Sequence, residues 1–208
     1  KIYGPKGVGA LYIRQLAAGN WQFAKKKPDA KDQLLDATIT GGGQEFGLRS
    51  GTENVPNIAG FAKAVEIAEK LRTKEAKRVG AIRDSFWHGI RNIYPKAEVN
   101  GIMNNELSIT KRKRSPIIHH SKFIIPSILN VYFPDFLAEE LVMRLDLAGV
   151  AVSSGSACSS RSSESSHVIQ ALGYNTDRAR RSIRFSFGRP TTAGNVQKTL
   201  GILKGILT

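Results

Sequence analysis

Apolar residues recur along this chain with two periods, and the switching between them predicts a mixed architecture. Val8 to Ile13 is a short apolar run after a Gly/Pro turn, and it predicts a buried strand. Residues 18–37 are polar and lysine-rich and predict an exposed excursion. After a glycine-rich stretch, Ile58, Ala62, Val65, Ala68 and Arg72 fall at helical spacing with charges on the other face. Pro56 suits the first turn of that helix, and Asn54 or Thr52 can cap it. The helical pattern resumes after a predicted break, with Ile82, Phe86 and Ile90 recurring every four residues through 75–94.

The remainder alternates in the same way. Residues 127–133 (SILNVYF) predict a strand, and a helix is expected from Asp135, or just after it, through Leu145. Residues 150–154 (VAVSS) predict another strand, feeding a loop rich in serine and glycine. Residues 182–188 (SIRFSFG) alternate as a strand should, and 191–207 predict a capped terminal helix. Interleaved strands and helices make the chain α/β or α+β, with no internal repeat.

Composition narrows the class. The 208 residues suit one large domain or one and a half, and 41% hydrophobic with 23% charged residues fits a globular protein with a real core. The apolar stretch 123–133 is broken by Pro126 and Asn130 and falls short of the ~20 residues a membrane span needs. A single cysteine excludes a disulfide framework and any multi-cysteine metal site, and it is compatible with a reducing cytosol. The net charge of +14 raises a polyanionic partner. Its densest clusters, at 25–27 and 111–114, lack interleaved aromatics, so solvated loops are expected there in preference to a nucleic-acid surface. The chain begins at Lys1 with no apolar leader and is expected to be cut from something longer.

Four places carry residues suited to chemistry. Cys158 lies among Ser153, Ser154, Gly155, Ser156, Ser159, Ser160, Ser162 and Ser163, with nothing apolar to pack its sulfur. A thiol there is accessible, and Arg161 and His167 are the local groups able to favour its thiolate. Lys1, with Lys6 as competitor, stands in a Gly/Pro turn that lets the backbone approach a bulky group, and an amine becomes nucleophilic once its pKa is lowered. Residues 41–54 (GGGQEFGLRSGTEN) are not a Walker loop, yet Arg49, Ser50, Thr52 and backbone N–H groups can cradle a phosphate. In residues 178–190, Ile183, Phe185 and Phe187 share one strand face and Arg184 and Ser186 the other; an arginine fixed on such a strand can clamp a carboxylate or simply face solvent.

In their order, KIYGPKGVGALYIR, GGGQEFGLRSGTENVPNIAGFAKAV, SSGSACSS and SIRFSFGR resemble the C-terminal half of the cysteine desulfurases. These are pyridoxal-phosphate enzymes of the class-V aminotransferase branch. The resemblance implies the fold-type-I, aspartate-aminotransferase-like fold: the end of the large cofactor domain over residues 1–70 and a small α+β domain over 71–208. It implies that Lys1 bonds pyridoxal phosphate and that Thr52 reaches the cofactor phosphate of a neighbouring subunit, hence a homodimer. Cys158 matches the nucleophile that takes sulfur from L-cysteine as a persulfide, and Arg184 the holder of the substrate carboxylate. The extended SSGSACSS loop resembles the group that delivers sulfur to acceptors such as an iron–sulfur scaffold, in the cytoplasm. The family's ring-stacking histidine and pyridine-binding aspartate would precede residue 1, and 15–37 and 102–122 are longer and more basic than its pattern. A selenocysteine lyase, a basic nucleic-acid-binding module and a non-catalytic remnant are the alternatives.

Overall fold

Asn54 ends the glycine-rich stretch and starts the longest helix. Its Oδ1 accepts from the Asn57 N–H at 3.4 Å, and Pro56 occupies the first turn, where a missing N–H costs no bond. The computed structural model describes residues 2–12, 36–101, 125–155 and 166–208. Within them, helix α1 runs unbroken over Val55–Ile93. The break expected near 72–75 is absent. That stretch holds no glycine or proline, and Lys63–Glu66, Arg72–Glu69 and Arg78–Glu75 pair at i,i+3 along it.

The described residues divide into two compact units, Lys1–Arg72 and Thr73–Thr208. In the first, the turn at Gly4 and Pro5 rests on α1. A Cβ at Gly60 would meet Pro5 Cγ at 2.7 Å, and one at Gly4 would meet Ala64 Cβ at 3.3 Å. That close approach selects Gly60, Phe61 and Ala64 as the covered face, so Ile58, Ala62 and Val65 of the expected stripe stay exposed. The buried strand expected from Val8 is not formed either. No strand is assigned over 8–12, and Leu11 and Tyr12 are 76% and 77% exposed. Strand propensity states only that a segment fits a ladder; without a paired neighbour the backbone keeps its water. Ile13 lies outside the described residues.

The second unit is built on a three-stranded antiparallel sheet in the order β1-β2-β3, with β1 at Glu98–Val99, β2 at Ile128–Tyr132 and β3 at Ser182–Ser186. In β2 and β3, Leu129, Val131, Ile183 and Phe185 turn to the buried face. Their core is completed by Phe86, Ile90 and Tyr94 at and just beyond the end of α1. Helix α2 (Ala138–Leu147) adds Leu141 and Leu145, and the terminal helix adds Val196, Leu200 and Leu203. Phe86 packs edge-on to Phe185 and Phe187, with ring centroids 5.0 and 5.6 Å apart.

Helix α2 begins at Ala138, just after Asp135 as expected; Asp135 itself is engaged elsewhere, accepting from Tyr94 Oη at 2.5 Å and from Lys96 Nζ at 2.7 Å. Residues 150–154 form no strand beyond a single antiparallel bridge, Ser153 to Arg184. After α2, Gly149 takes φ +80°, a conformation that costs other residues strain, and turns the chain toward that bridge. Short helices α3 (His167–Ala171) and α4 (Thr176–Arg180) lead into β3. The terminal helix α5 (Ala193–Leu207) opens with a reciprocal capping box between Thr192 and Asn195. Arg78 ties α1 to the turn before α5, donating to the carbonyls of Gly188, Arg189 and Thr191. None of the helices among the described residues is long and apolar enough to cross a membrane.

Leu203 is fully buried, so Leu203→Ala should destabilise the second unit by about 2–5 kcal/mol in urea unfolding, through lost burial and a residual cavity. Exposed Met143→Ala, the control, should stay within about 0.5 kcal/mol. Burial, helped by the bond and charge of Asp135, pushes the Tyr94 phenol up to about 12. The unfolded phenol ionises near 10, so this contribution is intact below pH ~10 and is lost as pH rises toward 12. Ultraviolet tyrosinate titration should show a late component that Tyr94→Phe removes. If the component persists, the assignment is wrong.

Candidate functional site

Strand alternation decides where Arg184 can point. Ile183 and Phe185 go to the core, so Arg184 stands on the opposite face of β3, half-buried. Its backbone is locked on both sides. Asn130 is its register partner on β2. On the other edge the Arg184 N–H donates to the Ser153 carbonyl at 2.7 Å, and the Ser153 N–H donates back at 3.3 Å. Arg184 Nε is buried and has no hydrogen-bond partner among the described residues. A buried donor left unmade is costly, so this nitrogen fits an acceptor that arrives with a ligand, and an anion most of all.

Arg178 and Arg181, close to it in the chain, are already engaged. The segment read as one arginine-bearing stretch over 178–190 is strand only at Ser182–Ser186; Arg178 and Arg180 belong to α4, which Asn175 caps by accepting from the Arg178 N–H at 2.9 Å. The Arg178 guanidinium lies between the rings of Tyr132 and Tyr174, 4.6 and 4.1 Å from their centroids. It donates to Asn100 Oδ1 at 2.6 Å, to Glu98 at 2.5 Å and to the Val99 carbonyl at 3.3 Å. Arg181 donates to Asp177 at 2.9 Å and to the Pro134 carbonyl at 3.2 Å.

Asn100, buried at the end of β1, extends this arrangement. Its Nδ2 donates to Asn130 Oδ1 and Ser182 Oγ, each at 2.7 Å, and Ser182 Oγ donates to the Arg178 carbonyl at 2.6 Å. Sequence reasoning misses this polar cluster. Its visible signal is Asn130 interrupting an otherwise apolar strand; nothing local sets Arg178 apart from its neighbours.

The glycine-rich loop of the first unit closes largely on itself. Ser50 Oγ is buried and accepts from the Gly43 N–H at 3.3 Å, while Gln44 Oε1 accepts from the Gly51 N–H at 3.0 Å. The Arg49 guanidinium donates to the Ser50 carbonyl at 2.9 Å. Gly51 sits at φ +118°, with Arg49 Nη1 only 2.8 Å from where a Cβ would lie. Of the expected phosphate cradle, the Gly43 and Gly51 N–H groups are spent within the loop, while Ser50 Oγ and Arg49 Nη1 each make one bond there. Thr52, at the exit of the loop, is exposed. Lys6 and His167 are exposed as well. Lys1, Cys158 and Arg161 lie outside the described residues, as do the basic clusters at 25–27 and 111–114.

Comparison with known proteins gives this geometry a context. The class-V aminotransferase family matches residues 1–199. The chain is 40% identical over 205 residues to a protein named cysteine desulfurase IscS from Haemophilus influenzae (strain PittEE), covering 99% of this chain and 42% of that protein. It is 37% identical over 206 residues to cysteine desulfurase IscS 1 of Archaeoglobus fulgidus, covering 99% of this chain and 45% of that one. The chain thus spans less than half the length of the curated relatives it matches. Among solved structures, a NifS-like protein superposes with a TM-score of 0.70 at 30% identity, over 99% of this chain and 44% of its own. A NifS-like protein from Rickettsia africae shares the fold, with a TM-score of 0.65 at 22% identity over 85% of this chain and 41% of its own. With a family match over nearly its whole length and the fold-type-I architecture of its structural neighbours, this chain belongs to the class-V aminotransferases.

Proposed function

We propose that this chain is the C-terminal portion of a cysteine desulfurase that binds pyridoxal phosphate, takes L-cysteine as substrate and releases L-alanine. The observation that carries the proposal is Arg184: a guanidinium on the polar face of a locked strand, with Nε buried and without a hydrogen-bond partner among the described residues. Such a group is built to receive a carboxylate, and the relatives that match this chain along its length bear the name of that activity.

The described residues fit an anionic cofactor and an anionic substrate. Thr52 offers an exposed hydroxyl, a donor for a phosphate oxygen, at the exit of the glycine-rich loop. When bound, pyridoxal phosphate supplies an electron sink for charge that develops on the carbon bearing the substrate amine. Lys1 would hold the cofactor through its amine and move a proton at Nζ. Arg184 would orient the substrate by its carboxylate. The Cys158 thiolate would attack the substrate sulfur, forming an S–S bond as the carbon–sulfur bond breaks. The electron pair stays with carbon, which takes up a proton, so the products are L-alanine and a Cys158 persulfide.

A serine- and glycine-rich surround suits a thiol that must pass sulfur to an acceptor protein, such as an iron–sulfur scaffold. Thr52 is proposed to serve the cofactor of a second subunit in a homodimer. A reducing cytoplasm would keep the lone cysteine available. The segments that complete the cofactor site would come from polypeptide corresponding to the remainder of the longer relatives.

In the full polypeptide carrying this sequence, Cys158→Ala should lower sulfide release from L-cysteine by on the order of 10³-fold or more. Retained release would sink the persulfide route, and retained release confined to selenocysteine would mark a selenocysteine lyase. Arg184→Ala should raise KM for L-cysteine by about 10-fold or more, the expected loss of a charge-assisted contact. An unchanged KM would remove Arg184 from the site.

A further inference from the structure

The donor inventory of arginine fixes the polarity of the cluster beside Arg184. A guanidinium has no acceptor, so Asn100 must turn Oδ1 toward Arg178 Nε, which it meets at 2.6 Å. Asn100 Nδ2 must then face the other way, where Asn130 Oδ1 and Ser182 Oγ accept from it. Ser182 confirms the direction: its hydroxyl proton goes to the Arg178 carbonyl, leaving Oγ to accept. At the end of this chain of bonds Asn130 has spent Oδ1 on Asn100. Its backbone is held too, because the Asn100 N–H donates to the Asn130 carbonyl at 2.9 Å. The Nδ2 hydrogens of Asn130 therefore aim away from Asn100.

The register of β2 and β3 sets Asn130 directly across from Arg184, on the face that Leu129, Val131, Ile183 and Phe185 leave free. Directly opposed residues have Cβ atoms about 4.5–5.5 Å apart, close enough for both side chains to reach one planar group. Resting on the assignment of the substrate carboxylate to Arg184, we propose that Asn130 is the second donor of the carboxylate clamp and that Arg178, through Asn100, is the positioning residue that fixes its polarity. Neighbouring strands would then each supply a donor to the carboxylate. An amine lacking the carboxylate would leave both donors unmade, so the pair would favour α-amino acids over simple amines.

Calorimetric binding to the pyridoxal-phosphate-loaded full polypeptide tests this, with L-alanine and ethylamine as probes, the second being the first without its carboxylate. Asn130→Asp, which replaces donors by acceptors, and Asn130→Leu, which removes them without adding charge, should each weaken L-alanine by about tenfold or more. Ethylamine should change by less than about twofold, since it never meets the clamp. Arg178→Lys keeps a donor-only group and should hold L-alanine affinity within about threefold, whereas Arg178→Gln lets Asn100 reverse and should weaken it like the Asn130 variants. Unchanged L-alanine affinity in both Asn130 variants overturns the proposal, as does an equal loss for ethylamine. Arg184→Ala separates the two levels. If it leaves L-alanine binding intact, the carboxylate assignment itself falls; if it weakens binding while the Asn130 variants do not, only the second donor is wrong.

Discussion

The pairing of β2 with β3 is the constraint on which the second unit and its candidate chemistry both depend. With Asn130 opposite Arg184, the apolar residues of both strands meet α1, α2 and α5, and the polar ones share the other face. A slip of one residue by either strand would carry its polar residue, Arg184 or Asn130, into the core and expose its own apolar residues. Burying an unpaired guanidinium there costs several kcal/mol, of order the whole stability of a domain. The register is also held from its ends. The Phe133 N–H donates to the Arg181 carbonyl at 2.8 Å, and the Phe187 N–H donates to the Ser127 carbonyl at 2.9 Å.

Around that sheet, several arginines have structural work. Arg83, almost wholly buried, donates to Asp84 at 2.7 Å and to the Ile125 carbonyl at 3.3 Å. Arg78 secures the turn before α5, and Arg178 organises the end of β1 with α4. Planar guanidinium groups with several donors suit this task, since each satisfies backbone carbonyls that no strand or helix covers. Against that background Arg184 Nε stands out because its neighbours are satisfied and it is not. In the glycine-rich loop Ser50, Gln44 and Arg49 each make a bond to the loop's own backbone, and Thr52 is the exposed hydroxyl at its exit.

Several elements are legible in the amino-acid order. The alternation in 182–188, the apolar run 127–133 and the Thr192–Asn195 cap of the last helix each carry their signal in adjacent residues. The segments that depart from expectation share one cause. Val8 to Tyr12 and residues 150–154 have strand-like composition, but a strand exists only when another pairs with it, and among the described residues the second segment finds one bridge while the first finds none. Along α1 the helical period holds, but the covered face differs, because the close approach of Pro5 to Gly60 decides it.

The candidate site divides in the same way. Lys1, Thr52, Cys158 and Arg184 are recognisable from ordered motifs, since each lies in a block whose neighbours are themselves unusual. Asn130 and Arg178 are not, because their meaning is relational: Asn100, Asn130, Arg178 and Ser182 come from separate elements and meet only when β1, β2, β3 and α4 assemble. What the amino-acid order determined by itself was periodicity, capping and which side chains are candidates for chemistry, all set by neighbours a few residues apart. What the tertiary structure decided was which donors are spent and which are left, because a hydrogen bond is satisfied by whatever is near in space, however distant along the chain.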